Sequence, residues 1–151
     1  MKTKIKTDTY PNGQKKYEAP YVNGKKHGLE AWWYDNGQKW HEIPYINGQV
    51  HGLEILWHSS GQKKREIPYI TGQRHGLTIW WYENGQKWYE TTYVHGQPHG
   101  LMICLRSNGS LSTARKWHQG QEVWEMSFSS QKQIPEDAEV ELFFHETPEL
   151  I

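Results

Sequence analysis

The sequence predicts an all-β protein, an elongated and twisted antiparallel sheet of tandem 24-residue β-hairpin repeats. The main observation is that the chain repeats itself without insertion over residues 10–33, 34–57, 58–81 and 82–105. A fixed period of this kind decides the architecture before any local feature does. Each copy also alternates short strand-like runs with glycine-containing turns. No window keeps helical periodicity for the length that a helix usually requires.

The period divides the chain into four segments. Residues 1–9 form an N-terminal half-repeat cap, because a shift of 24 residues back from Leu29 reaches Ile5. Residues 10–105 hold the four full repeats. Residues 106–129 form a degenerate fifth repeat, which keeps the turn at Asn108-Gly109 but lacks the His-Gly-Leu triplet. Residues 130–151 are expected to form an acidic capping strand or tail. At roughly 4.8 Å per strand, about a dozen strands give a sheet near 50 Å long.

Turns and strands recur at fixed positions within each repeat. In the first repeat the strands are predicted over residues 14–22 and 29–34. Between successive repeats, Asp35-Asn36-Gly37 and its equivalents predict a hairpin turn, because Asn and Gly both tolerate positive φ. The longer turn over residues 23–28 contains two glycines for the same reason. Pro20 and its equivalents lie inside a strand and have no N–H, so we expect a bulge or a missing bond there.

Alternation along the strands assigns side chains to two faces. One row of the second strand is apolar in every copy, and we predict that it is buried: Leu29, Ala31, Trp33, Leu53, Ile55, Trp57, Leu77, Ile79, Trp81, Leu101, Ile103 and Leu105. We assign the first-strand rows to the same buried face: Ala19, Tyr21, Ile43, Tyr45, Ile67, Tyr69, Thr91 and Tyr93. The opposite row of the second strand is mixed, beginning with Glu30, Trp32 and Tyr34.

Composition limits the class of protein. Nine Trp and nine Tyr in a chain of only 35% apolar residues must supply much of the buried area. The formal net charge is zero, which gives no general electrostatic argument for nucleic acid or membrane. Cys104 is the single cysteine, so an intrachain disulfide is excluded. The basic start lacks the apolar run of a signal peptide, and no apolar run is long enough to span a membrane. We expect a soluble, cytoplasmic protein.

The repeat unit resembles the MORN-repeat-variant family. The resemblance is carried by Asn36-Gly37-Gln38-Lys39, Glu42, Tyr45, Gly48 and Gly52-Leu53 in the clearest copy. It spans residues 10–105 well and residues 106–129 poorly. The resemblance implies an elongated sheet of successive hairpins, a binding role and no catalytic residues. It also implies an antitoxin-like or immunity-like partner of a toxin, as bacterial proteins built mainly of these repeats are often assigned.

Two groups of residues are candidate binding sites. An aromatic and basic row on the mixed face consists of Trp32, Trp40, Lys64, Trp80 and Trp88. Trp and Tyr dominate protein hot spots, so this row is our candidate protein-binding surface. It is also compatible with base stacking, or with side chains that simply cover a thin sheet. The acidic tail is the second candidate, for a basic partner, unless it only caps the sheet: Glu136, Asp137, Glu139 and Glu141.

The histidine and glutamate ladders do not indicate catalysis or metal binding. His27, His51, His75 and His99 recur two strands apart, roughly 10 Å, which is too far to share a metal ion. Each is expected to hold its turn. Glu18, Glu42, Glu66 and Glu90 are expected to form a solvated row that pairs with nearby lysines. The chain has no phosphate loop and no nucleophile motif. We expect no enzyme activity, no cofactor and no metal.

The sequence therefore favours a non-catalytic protein-binding repeat protein that neutralises or inhibits its partner. The partner is expected to be a toxin or a defence enzyme, which makes the chain an antitoxin, an immunity protein or a phage-borne inhibitor. The alternative is a lipid-headgroup or nucleic-acid-binding module, and glycan binding ranks last. Exposed sheet edges also allow edge-to-edge self-association.

Overall fold

The computed structural model describes residues 2–128, in which fourteen strands form one antiparallel sheet. The strands are β1 Thr3–Thr9, β2 Lys15–Val22, β3 Lys25–Lys26, β4 Gly28–Trp33, β5 Lys39–Ile46, β6 Gln49–Val50, β7 Gly52–Trp57, β8 Lys63–Ile70, β9 Gln73–Arg74, β10 Gly76–Trp81, β11 Lys87–Val94, β12 Gln97–Leu105, β13 Leu111–His118 and β14 Gln121–Ser127. The acidic tail, with Glu136, Asp137, Glu139 and Glu141, lies outside the described residues.

The strand order follows the chain and confirms the predicted fold class. The order across the sheet is β1-β2-β4-β5-β7-β8-β10-β11-β12-β13-β14. The two-residue strands β3, β6 and β9 pair back onto β2, β5 and β8. With about 4.8 Å between neighbours, the sheet extends roughly 50 Å across its strands. None of the described residues forms a helix that is long and apolar enough to cross a membrane.

The two kinds of turn differ from the expectation in one respect. At Asp35-Asn36-Gly37 only the glycine has positive φ, +84°, and the Asn36 side chain accepts a hydrogen bond from the Gln38 N–H. Both residues have positive φ in the other turn, at Asn47-Gly48, with values of 52° and 88°. This second turn is therefore the tight two-residue hairpin. The reason is that the Asn36 side chain replaces a backbone acceptor, which leaves Asn36 itself in the ordinary region.

The prolines interrupt the ladder, as predicted. β5 pairs with β7 at His41 and Glu42 and with β6 at Tyr45, whereas Pro44 has no Cα partner on that side. The Pro44 carbonyl instead accepts a hydrogen bond of 3.0 Å from the His51 N–H. Gly52, at φ +114°, lies so close that a Cβ there would be 2.9 Å from Pro44 Cγ. The three repeats that have this proline therefore share the same interruption of the ladder, and the fourth repeat has Thr92 at this position.

The sheet has two faces, which we name by the residues that recur on them. The tyrosine face carries Tyr21, Tyr45, Tyr69 and Tyr93, and the proline face carries Pro20, Pro44 and Pro68. Cross-strand pairing puts Glu30 opposite Ile43 and Trp32 opposite His41, so these four lie on the tyrosine face with Tyr45. Leu29 pairs with Pro44 and Ala31 with Glu42 on the proline face.

The prediction that both apolar rows share one buried face is wrong, because the second-strand row with Leu29 and Ala31 lies on the proline face, opposite the first-strand row with Ala19 and Tyr21. Leu29, Leu53 and Leu77 lie on the proline face and are 42–48% exposed. The fully buried side chains lie instead along the middle of the tyrosine face: Ala19, Glu30, Ile67, Thr78 and Thr91, each at 0–1% exposure. The reason is that residues 2–128 form a single sheet, without a second layer to cover an apolar row. Long Tyr and Trp side chains cover the centre of the tyrosine face, while the leucines have only short proline rings beside them.

Side chains link each repeat to the next one. The Tyr34 hydroxyl donates to the Trp57 carbonyl at 3.0 Å, and the Asn36 amide donates to the Ser59 carbonyl at 3.3 Å. The same bonds recur at Tyr10, Asn12, Tyr82 and Asn84. Each turn is thus tied to its neighbour 23 residues further along the chain. These contacts hold the tyrosine face in a regular array.

Candidate functional site on the tyrosine face

The structure places the predicted aromatic row on the tyrosine face through a β-bulge. Trp32 pairs with His41 and Trp33 pairs with Lys39, so Trp40 is the extra residue between them. A bulge re-aims the extra side chain. The Trp40 ring consequently lies beside Trp32, with 5.8 Å between the ring centroids. The alternation rule alone does not place residue 40, but the bulge does.

The first aromatic cluster surrounds Trp32. The imidazole of His41 stacks on the Trp32 indole at 4.9 Å and 16° between planes, and Tyr17 packs against it at 5.3 Å. Trp40 contacts His41 at 5.2 Å and Tyr34 at 6.4 Å. Trp32 and Trp40 are both partly exposed. Together the five rings form a partly exposed aromatic surface at the strand ends near the Asp-Asn-Gly turns.

The second aromatic cluster repeats this arrangement two repeats later. Trp80 meets Trp88 edge to face at 5.1 Å and Tyr89 at 5.8 Å, while Tyr82 lies 6.1 Å from Trp88. Four strand spacings separate the equivalent positions of Trp40 and Trp88, which is about 19 Å. The two clusters are therefore separate patches on one face.

The repeat between the clusters is basic. Lys64 occupies the repeat position of Trp40, is exposed, and has no hydrogen bond, ion pair or ring contact within residues 2–128. Arg65 occupies the position of His41, and its guanidinium carbon lies 5.3 Å from the Trp80 ring centroid. The tyrosine face thus presents two aromatic patches with cations between them.

A buried ion pair lies in the centre of the first repeat. The carboxylate of Glu30 accepts a hydrogen bond of 2.7 Å from the Tyr17 hydroxyl, and Lys26 Nζ lies 2.5 Å from the same oxygen. Burial and the neighbouring Glu30 both raise the pKa of Tyr17. Burial lowers the pKa of Lys26, but Glu30 outweighs it and the net shift is upward. One carboxylate oxygen of Glu30 is thus bonded to both Tyr17 and Lys26, whereas Glu30 Oε2 has no hydrogen-bond partner within the described residues.

The second repeat places a different cation beside its glutamate. Glu54 Oε1 lies 2.6 Å from His41 Nε2 and 3.5 Å from Arg65 Nη2. Burial raises the pKa of Glu54, but hydrogen bonding and charge from His41, Arg65 and Tyr69 outweigh it and hold the pKa below its usual value. Glu54 is thereby kept as a carboxylate inside the face.

The third repeat has the cation without the carboxylate. Arg74 occupies the position of Lys26, but Thr78 occupies the position of Glu30. The Arg74 guanidinium lies 5.3 Å from the Tyr93 ring centroid and 3.5 Å from the Tyr93 hydroxyl. Burial lowers the pKa of Arg74, whereas hydrogen bonds with Tyr69 and Tyr93 raise it, and the net shift is upward. Within residues 2–128, Arg74 has no carboxylate partner.

The histidine and glutamate ladders have local partners. His27 and His51 accept hydrogen bonds of 3.4 Å from the N–H groups of Asn47 and Thr71 in the following turn. The glutamate row lies on the proline face and pairs with lysines three residues earlier, as predicted: Lys15–Glu18, Lys39–Glu42, Lys63–Glu66 and Lys87–Glu90. Among the residues that the structure describes, no cluster of three or more His, Cys, Asp or Glu is suited to a metal ion.

A lysine-lined groove occupies the first edge of the sheet. Lys2, Lys4 and Lys6 line it together with Tyr21 and residues 23–24. Its volume is about 260 Å³. Lys6 Nζ lies 4.5 Å from the Tyr21 ring centroid. In the described part of the chain, none of these three lysines has a carboxylate partner, so the groove is basic.

Sequence reasoning found the aromatic residues of the face but missed its polar centre. His41, Glu54, Arg65, Arg74 and Tyr89 were not singled out. The available signal was the repeat position that holds Glu30, Glu54, Thr78 and Met102, whose chemistry changes from copy to copy. A second signal was the residue four positions earlier, which also changes from copy to copy: Lys26, Val50, Arg74 and Pro98.

These features define a class of protein: a tandem β-hairpin repeat sheet that presents a variable set of side chains on one face. The family model described as the MORN repeat variant matches residues 10–23, 26–47, 50–70 and 74–95, which is more than half of the chain. The chain therefore belongs to the MORN repeat variant family. MORN repeats are generally binding modules, and this chain is a repeat protein of that kind. A search of the curated proteins finds no match.

Proposed function

We propose that the chain is a non-catalytic module that binds a partner protein through its tyrosine face and thereby neutralises or inhibits that partner. The partner is a toxin or a defence enzyme, so the chain acts as an antitoxin, an immunity protein or a phage-borne inhibitor inside the cell. The observation that carries the proposal is the arrangement of Trp32, Trp40, Trp80 and Trp88 in two partly exposed clusters on one face.

The chemistry of the clusters supports protein binding. Partly buried Trp and Tyr rings give a large contact area at low entropic cost and dominate protein–protein hot spots. The rings pack against one another, as at Trp80 and Trp88, so they are ordered before a partner arrives. Pre-organisation of this kind lowers the cost of association.

Variation between repeats supports a specific partner. Equivalent positions in the second, third and fourth repeats hold Trp40, Lys64 and Trp88. The strand register around these positions is nevertheless the same in each repeat. A surface that only covered the sheet would not need a cation between two aromatic patches. We therefore expect the order aromatic, basic, aromatic to match the partner.

The test begins with affinity capture from the native host and identification of the partner by mass spectrometry. The partner is then purified, and its Kd for the full chain and for W40A/W88A is measured by calorimetry. We expect W40A/W88A to bind at least about 30-fold more weakly, since a hot spot contributes 2 kcal/mol or more. The matched control is L29T/L53T, which removes exposed side chains from the proline face. Equal losses in the two variants, or a partner whose activity is unaffected by binding, contradict the proposal.

The basic groove supports a second candidate function, which is binding of an anionic lipid headgroup. Lys4 and Lys6 lie on the edge strand β1 and Lys2 precedes it, and each contributes to attraction toward an anionic surface. The test is co-sedimentation with vesicles that contain phosphatidylserine, compared with neutral phosphatidylcholine vesicles at low salt. Binding that is lost in K2Q/K4Q/K6Q supports the lipid function, and equal sedimentation with both vesicles removes it.

A further inference from the structure

The internal repeats allow one part of the tyrosine face to be compared with itself. Lys26 and Glu30 flank Gly28, which has φ +110°, and form the buried ion pair of the first repeat. Arg74 and Thr78 flank Gly76, which has φ +111°, so the backbone geometry is the same. In the third repeat the cation is present and the carboxylate is missing. This comparison identifies the group that would complete the site.

Unsatisfied hydrogen-bond donors concentrate around the same position. Thr78 and Thr91 pair across β10 and β11, are 1% and 0% exposed, and their hydroxyls have no partner within the described residues. Arg65 Nε and Trp80 Nε1 are also buried there without a partner. Unsatisfied buried groups are rare in folded proteins and each calls for an explanation. Arg65 Nε and Trp80 Nε1 can only donate and the two hydroxyls can donate or accept, so an added acceptor suits this part of the face.

We infer that Arg74, on the same face as Thr78 and Thr91, receives a carboxylate from an acidic side chain of the partner protein. This inference rests on the proposed function and adds the chemistry of the partner. The carboxylate replaces the one that Glu30 supplies in the first repeat. Arg74 is the part of the site that solvent reaches, and its planar guanidinium suits a carboxylate. The Tyr93 hydroxyl already accepts a hydrogen bond of 3.5 Å from the guanidinium, which also lies over the Tyr93 ring.

The surroundings of the site favour a carboxylate that belongs to a folded protein. Arg65 and the exposed Lys64 lie on the neighbouring strand. Arg65 already forms an ion pair with Glu54. Lys64 and Arg74 both lack an acid within residues 2–128, and of the two only Arg74 is half-buried. The aromatic patches lie on the same face toward the Asp-Asn-Gly turns, whereas Arg74 lies toward the Thr71-Gly72 turn. The partner thus presents an Asp or Glu beside apolar surface that reaches the aromatic patches.

The experiment measures binding of a blocked tetraglutamate peptide to the full chain by NMR, with the Arg74 Nε–H signal as the reporter. The variants are R74Q, which removes the cation, and T78E, which supplies the missing carboxylate from within the chain. The matched control is K64Q, which removes an unpaired cation from the same face. Inorganic phosphate is titrated in a second arm. Circular dichroism checks that each variant is folded.

We expect a saturable shift of the Arg74 signal and of the Thr78 and Thr91 amides. R74Q and T78E should each weaken the apparent affinity about tenfold, and K64Q less than about twofold. An equal loss in K64Q and R74Q overturns the site, because diffuse charge then explains the binding. Phosphate binding at Arg74 without tetraglutamate binding overturns the carboxylate assignment. If T78E does not fold, the comparison of R74Q with K64Q decides.

The two proposals fail in distinguishable ways. If tetraglutamate does not bind but a native partner depends on Trp40 and Trp88, the carboxylate site is wrong and the proposed function stands. If tetraglutamate binds at Arg74 but no protein partner is recovered, the proposed function fails and the site stands.

Discussion

Single residues give each repeat its own electrostatic character while the backbone stays the same. One repeat position holds Glu30, Glu54, Thr78 and then Met102, and all four are buried on the tyrosine face. The first two carry a charge, the third a hydroxyl and the fourth a thioether. A buried charge is tolerated only with close partners, and both glutamates have them. The chemistry of the face is thus set by substitutions in its central row.

The charge on Glu30 should contribute measurably to stability. We expect E30Q to lower the free energy of unfolding by about 2 kcal/mol, because it removes a charge that bonds Tyr17 and Lys26 at a buried position. The matched control is E18Q, whose carboxylate pairs with Lys15 at the surface and should contribute less than about 0.5 kcal/mol. Urea unfolding of the two variants and the unmodified chain measures both. An equal loss of unfolding free energy in E30Q and E18Q would show that the buried ion pair of Glu30 stabilises the fold no more than the surface pair of Glu18.

Glu54 should make stability depend on pH. Its pKa is held below the usual value, so the folded state binds the proton less readily than the unfolded chain does. The contribution of Glu54 is therefore complete above the unfolded pKa of about 4.3 and is lost as pH falls through the folded pKa. Urea unfolding from pH 7 to pH 3 should show a steeper loss for the unmodified chain than for E54Q. Parallel curves would contradict this linkage.

At the scale of elements, periodicity predicted the strands and turns but not the buried face. The 24-residue period and the Gly-containing turns place every hairpin, because a strand needs only local signals and a turn to begin and end. Burial depends instead on what lies above a row. Leu53 is apolar yet exposed because no other element of residues 2–128 packs over it, and Glu54 is polar yet buried because His41, Arg65 and Tyr69 surround it. The rule that the apolar row of a strand faces the core assumes a second layer packed on the sheet, and it does not apply to a single sheet.

The interruption of the ladder at each proline requires glycine in the facing strand. We expect G52A to lose about 2–3 kcal/mol, since its φ of +114° is strained for alanine and its Cβ would lie 2.9 Å from Pro44 Cγ. G72A is the control, because φ is also positive, +81°, but no atom lies within 4 Å of the added Cβ. It should lose roughly 1–2 kcal/mol. Thermal unfolding measures both, and P44A should recover part of the loss in the G52A background but none in G72A.

The candidate site was partly predictable at the scale of the whole molecule. The aromatic positions follow from the repeat, and Trp32, Trp40, Trp80 and Trp88 do share one face. Arg74 was not predictable in the same way, because its importance lies in the carboxylate that the third repeat lacks. The missing carboxylate is recognised only when the third repeat is compared in three dimensions with the first, in which Lys26 pairs with Glu30. The sequence thus indicates the surface, and the structure indicates the position within it.

Whole repeats should be removable without loss of the fold, because each repeat contacts mainly its neighbours. Deletion of residues 58–81 joins Trp57 to Tyr82 and keeps the register of every remaining pair. Deletion of residues 34–57 shortens the sheet equally but retains Arg74 and Thr78. We expect both variants to keep a β-type circular dichroism spectrum, and X-ray scattering to show a sheet shorter by about 10 Å, which is two strand spacings.

The two deletions should nevertheless differ in binding. The chain without residues 34–57 should still bind the tetraglutamate peptide with the Arg74 signal shifting, while the chain without residues 58–81 should not. A variant pair that folds but binds equally well would mean that no single repeat holds the carboxylate site. Unfolding of both deletions would contradict the nearest-neighbour picture itself, because each retains the turn-to-turn bonds of the Tyr82 and Asn84 pattern. Different outcomes for folding and binding would show that the common positions of the repeat build the sheet and that the varying position contributes to recognition.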